Sequence, residues 1–209
     1  MPEAYVGAAS LIEWGVAVLA LEAESGDLHA VKTVGQGVLV SAVDGLGHGA
    51  EAASAARTAV ATLDRHADGA VVPLVERVHQ ALRGTRGAVL SLAFLDGAND
   101  SMTWLGVGNV EGVLCFANPT ATPTQTSLVT RAGIVGVRLP RLGAETIRIA
   151  PGDTLIFATD GIRRGFADGL PTDVAPQQLA DHILTRHRTG TDDALVLVAR
   201  YIRGTGAAA

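Results

Sequence analysis

A single cysteine, Cys115, stands in the 209-residue chain, which excludes an internal disulfide and any zinc site built on cysteine. Positive charge is also short. Lys and Arg number 16 against 21 Asp and Glu, a formal net charge of −5 at pH 7, so nothing recommends nucleic acid or an anionic membrane as the main partner. Long apolar runs are missing too: stretches such as residues 16–21 are the length of a strand, far below the ~18 residues of a membrane-spanning helix. Met1-Pro2-Glu3-Ala4-Tyr5 lacks the basic start and apolar core of a signal peptide, and a cytoplasmic, reducing location is expected. Gly (25) and Pro (8) together stay under the roughly 25–30% that marks a low-complexity chain. What remains, 48% hydrophobic and 18% charged, is the composition of a globular protein with a sizeable core.

Along the chain the pattern runs from strands to helices and back to strands. Residues 16–21 and 37–43 are short β-branched runs, the first ending near the turn signal Ser25-Gly26-Asp27. Residues 50–65 are Ala-rich without Gly or Pro and read as a helix. Residues 71–82 carry a helical stripe of Val71, Leu74, Val75, Val78 and Leu82, with Pro73 tolerated in the first turn. Strands are expected at 88–95, 102–107, 110–117, 127–130, 146–149 and 154–158, then a helix at 177–188 and a strand at 194–202, with 118–126 as a loop. Helices grouped between strands, without β-α-β alternation, predict an α+β fold. One domain over 1–203 is expected, with 204–209 as a flexible tail.

Four segments place aspartate beside glycine or at a strand boundary: Ser25-Gly26-Asp27, Asp44-Gly45-Leu46-Gly47-His48-Gly49, Thr159-Asp160-Gly161 and Thr191-Asp192-Asp193. Each alone has a plain explanation. Asp27 suits a turn, Asp44 could cap the following helix, Asp160-Gly161 suits a hairpin, and Asp192-Asp193 suits a solvated loop. Together they point further. An aspartate closing an apolar strand is costly to desolvate alone, and several are most cheaply explained by shared cations. Carboxylates without His or Cys partners favour hard cations such as Mg²⁺ or Mn²⁺, and a main-chain carbonyl such as that of Gly45 can join them.

These segments, with Gly106-Val107-Gly108-Asn109, resemble the metal-dependent protein phosphatases of the type 2C class. The resemblance runs from residue 27 to residue 193 and is strongest to the bacterial branch that includes RsbX, RsbU and SpoIIE, to RsbX above all. It implies a central antiparallel β-sandwich flanked by α-helices, with two divalent cations, Mn²⁺ or Mg²⁺, at one end. Asp44 would bridge the two ions, Asp27 and the Gly45 carbonyl would serve one, and Asp160 and Asp192 the other, with Asp193 the alternative to Asp192. The chain departs from many eukaryotic members in having no Arg before Asp27, and in carrying Asn109 where their third-cation Asp lies.

The resemblance further implies a phosphoserine or phosphothreonine phosphatase in which a metal-activated water attacks phosphorus and no protein nucleophile is needed. Its substrates would be STAS-domain stressosome proteins of the RsbS and RsbR type, dephosphorylated to reset stress signalling; an RsbU- or SpoIIE-like action on an anti-anti-sigma factor is the alternative. A monomer is expected. Two rivals come from other classes: an inactive binding module of the same fold, and a nucleotide-binding protein using the glycines after Asp44, although that turn lacks the Gly-Lys-Ser/Thr ending of a P-loop. His48 could act as an acid or contact substrate, though a turn histidine more often bonds solvent or backbone. His79, His182 and His187 are expected on polar helix faces, and Cys115 in an apolar strand as a buried small residue.

Overall fold

Ten strands and three helices follow the chain in the computed structural model, which describes residues 11–118, 120–171 and 174–202. They are β1 (Ile12–Leu19), β2 (Asp27–Val34), β3 (Gly37–Gly45), α1 (Gly49–His66), α2 (Val71–Ala81), β4 (Ala88–Asp96), β5 (Ser101–Val107), β6 (Glu111–Cys115), β7 (Gln125–Ser127), β8 (Glu145–Arg148), β9 (Thr154–Ala158), α3 (Pro176–His187) and β10 (Ala194–Tyr201). One antiparallel sheet has the order β1-β10-β9-β6-β7 and the other β2-β3-β4-β5-β8.

The period-2 alternation of the central strands sends side chains into two cores at once. In β3, Val38, Val40 and Ala42 enter the core between the sheets, while Leu39 and Val43 face the core under α1 and α2. In β10, Leu195, Leu197 and Ala199 face the sandwich interior, and Val196 and Val198 face α3. The result is four layers, α-β-β-α, as the family resemblance implied. Helix α1 lays Ala52, Ala53, Ala55, Ala56 and Ala59 against its sheet, and side chains this small let helix and sheet backbones approach closely. The buried Ser41 and Ser91 are satisfied, Ser41 donating to the Ser91 carbonyl (3.0 Å) and Ser91 to that of Val110 (2.7 Å).

Strand β2 is the element that the sequence reading leaves out. It is an edge strand whose residues are mostly half-buried, so it shows neither clean alternation nor a continuous apolar run. The short strand expected at 127–130 lies instead at Gln125–Ser127, and the first strand starts earlier, at Ile12. The tail at 204–209 and the first ten residues lie outside the described residues. Among the described residues no helix is long and apolar enough to cross a membrane.

Candidate metal centre

The antiparallel register of β2 and β3 sets Asp27 directly opposite Asp44. Asp27 is buried, and its Oδ2 accepts a hydrogen bond from Thr159 Oγ1 at 2.7 Å. Thr159 is itself buried and accepts from the Leu195 N–H at 2.8 Å. Asp160 follows at the end of β9, where Asn109 Nδ2 donates to its Oδ2 at 2.7 Å. Asp192 and Asp193 immediately precede β10. The ends of both sheets thereby meet at a cleft of about 720 Å³ whose wall includes Asp44, Asp160, Asp192 and Asp193. Asp27 and Gly45 are buried and do not line it. The Gly45 N–H donates to the Gly26 carbonyl at 3.0 Å, and a Cβ on Gly45 would stand 2.1 Å from the Ala52 carbonyl oxygen, so only glycine fits there.

The plain readings of these acids meet specific obstacles. Asp27 opens a strand instead of sitting in a turn. The residue preceding α1 is His48, and it makes no side-chain cap, so Asp44 is not the helix cap. Asp160-Gly161 does not close a hairpin, because β9 pairs with β10 and β6, both distant in sequence. Asp193 is buried, and its two carboxylate oxygens accept the N–H groups of Leu21 (2.8 Å) and Gly26 (2.6 Å). It therefore ties the β1–β2 loop to the start of β10. Asp192 remains exposed toward the cleft and uses Oδ1 to accept the Asp193 N–H at 2.9 Å.

Burial and mutual crowding of the carboxylates dominate the electrostatics of the cluster. Burial raises the Asp27 carboxyl to about 7, opposed by the Thr159 hydrogen bond and reinforced by Asp193, Asp160 and Asp192. Burial raises Asp44 to about 8, with Asp27 and Asp160 adding to it. Asp160 is also raised, by burial first and Asp192 second. A bound cation would remove this cost by favouring the ionised forms. Among the described residues no three His, Cys, Asp or Glu side chains already converge on one point. The donor set, all oxygen, fits Mg²⁺ or Mn²⁺.

Two supporting residues, Thr159 and Asn109, had no assigned role in the sequence reading, and Asp193 was there the alternative ligand to Asp192. Thr159 and Asn109 orient Asp27 and Asp160, and Asp193 holds the loop before Asp27; the adjacency of Thr159 and Asp193 to the candidate ligands was the available signal. His48 lines the cleft mouth with its Nδ1 2.6 Å from Glu22 Oε1. His79 is half-buried and not on an open polar face, its Nδ1 accepting the Gly136 N–H at 2.8 Å. Cys115 is half-buried, and burial pushes its thiol up, which leaves it a poor nucleophile.

Residues 35–202 match the sequence model of the family described as stage II sporulation protein E (SpoIIE). No curated protein matches the chain in sequence. Among solved structures, a chain from work on the bacterial stressosome, described as a modular system adapted to control secondary messenger signalling, is 29% identical with a TM-score of 0.81, over 90% of this chain and 99% of that one. RsbX in complex with magnesium is 21% identical with a TM-score of 0.79, over 90% of this chain and 94% of that one. The phosphatase domain of SpoIIE from Bacillus subtilis, with a fragment of its regulatory domain, is 21% identical with a TM-score of 0.74, over 93% of this chain and 64% of that one. The acid-lined end of the sandwich thus sits in a known fold, and the chain belongs to the SpoIIE family of type 2C protein phosphatases.

Proposed function

We propose that residues 1–203 form one phosphatase domain that removes phosphate from phosphoserine or phosphothreonine on STAS-domain proteins of the RsbS and RsbR type, resetting a stressosome after stress. The observation that carries the catalytic part is the meeting of Asp27, Asp44, Asp160 and Asp192 at one end of the sandwich, where burial has already raised three of them. The likeness to RsbX and to a chain from the stressosome work supports the choice of substrate.

In this reading two divalent ions, Mg²⁺ or Mn²⁺, would be held here, with Asp44 serving both. Asp27 and the Gly45 carbonyl would serve one ion, and Asp160 and Asp192 the other. When bound, such ions supply an activated water and neutralise charge on the phosphoryl group. The chain's own residues do the positioning. Thr159 fixes the rotamer of Asp27, Asn109 that of Asp160, and Asp193 keeps the β1–β2 loop closed on the site. A cytoplasmic monomer without a nucleic-acid or membrane partner accompanies this proposal.

The test compares kcat/KM for phosphorylated RsbS-, RsbR- and RsbV-type proteins with that for a phosphopeptide of the same site, with Mg²⁺ and with chelator. Metal-dependent turnover that favours the RsbS and RsbR types supports the proposal. Equal turnover of the short peptide refutes recognition of a folded partner, and preference for the RsbV type moves the protein to the anti-anti-sigma branch.

A further inference from the structure

Among the described residues the cleft wall holds no Lys or Arg. Glu22, Asp44, Asp160, Asp192 and Asp193 are acidic, and His48 is the one basic side chain among the described lining residues. A phosphoester dianion entering the cleft would be oriented by bound metal and by any donor that reaches in from the cleft edge. Arg131, beside the wall residue Ala132, turns its guanidinium toward Gly143, with Nη2 3.5 Å from where a Cβ there would stand. Arg163, three residues past Asp160, donates Nη2 to the Arg186 carbonyl at 2.9 Å. Arg86 is placed differently. Its Nη1 lies over the wall residue Gly47, 2.6 Å from where a Cβ at that position would be.

Two further contacts hold Arg86 in that position. Its Nε pairs with Glu51 in the first turn of α1, its one hydrogen bond among the described residues, which leaves the Nη groups free to donate. The chain just after it is tied to the turn that follows Asp44, because the Leu46 N–H donates to the Gly87 carbonyl at 3.1 Å. Gly47 completes the arrangement. Its φ of +88° favours glycine, and any side chain there would collide with Arg86 and screen it from the cleft.

We propose that Arg86 is a phosphoryl-binding residue, its Nη groups donating to non-bridging oxygens of the substrate phosphate while Glu51 holds the guanidinium at the cleft edge. The geometry suits a planar fork, which matches phosphate oxygens better than an ammonium does. This assignment rests on the phosphatase reading above for the identity of the anion.

The experiment measures binding of inorganic phosphate to the Mg²⁺-loaded protein by calorimetry, together with steady-state hydrolysis of p-nitrophenyl phosphate, for wild type, Arg86→Ala and Arg86→Lys. Arg86 is exposed, so both variants keep the fold. Arg86→Ala should weaken phosphate binding and lower kcat/KM by about ten- to a hundredfold each, the worth of a charge-assisted hydrogen bond, with the Mg²⁺ requirement unchanged. Arg86→Lys should recover only part of the loss. Phosphate binding as tight in Arg86→Ala as in wild type overturns the assignment, and so does a kcat/KM for p-nitrophenyl phosphate unchanged in Arg86→Ala. A wild type that binds phosphate through Arg86 yet hydrolyses no phosphoester would leave the assignment standing and remove the phosphatase reading instead.

Discussion

Replacing Asp44 by Asn removes a charge that the metal-free fold holds at a cost, so Asp44→Asn should stabilise the protein in chelator while abolishing its response to metal. The carboxyl rises from 3.8 to about 8 in the fold. A raised acid favours folding at low pH: that contribution is complete below the unfolded value and is lost as pH climbs from about 4 through about 8. The interval spans about 4 pH units at about 1.4 kcal/mol each, an upper bound of about 6 kcal/mol. Asp44 is only half-buried and opens on the cleft, so water and counter-ions return part of this, and about 3 kcal/mol is the expected difference. For a chain of this length that is about 6–12 °C in Tm. Thermal melts in EDTA should find the two proteins alike at pH 4 and the variant ahead at pH 8.5. Titrating Mg²⁺ at pH 8.5 should then close the gap and, near saturation, reverse the order, since an ion at 1,000 times its Kd adds about 4.1 kcal/mol to a protein that binds it only when folded. A variant no more stable than wild type in EDTA at pH 8.5, or one that gains as much from Mg²⁺, would refute the reasoning.

Phosphatase activity on p-nitrophenyl phosphate should vanish in excess EDTA and return with Mn²⁺ or Mg²⁺, because an all-oxygen donor set selects hard cations; full turnover in chelator would sink the two-metal proposal. Asp192→Asn should raise the metal concentration for half-maximal activity with little change in Tm. Asp193→Ala should instead lower Tm, by about 5 °C or more, because it strips the partner from the buried N–H of Gly26 and from that of Leu21; the reverse assignment of effects would identify Asp193 as the ligand. Thr159→Val should shift the metal requirement through loss of the bond to Asp27, while Cys115→Ser should leave kcat unchanged, and an inactive but folded Cys115→Ser would revive a thiol mechanism.

Local chemistry was legible in the sequence because it is written in neighbours. The Ala-rich run and the apolar stripe of residues 71–82 became α1 and α2, since a 3.6-residue period needs no distant partner to be recognised. The clustered aspartates pointed to hard cations because their cost, if buried alone, is a property of the carboxylate itself. Cross-strand placement was not legible. Edge strand β2 carries no clean alternation, so its register, which sets Asp27 opposite Asp44, emerges only when β3 is there to pair with it. The division of labour between Asp192 and Asp193 was equally hidden: two adjacent carboxylates are chemically alike, and only the approach of Leu21 and Gly26, more than 160 residues away in sequence, turns one into a backbone clamp and leaves the other facing the cleft. Residue type and spacing determined which groups could bind a metal. The packing of two sheets determined which of them are brought together, because only tertiary contacts desolvate a carboxylate and choose its partners.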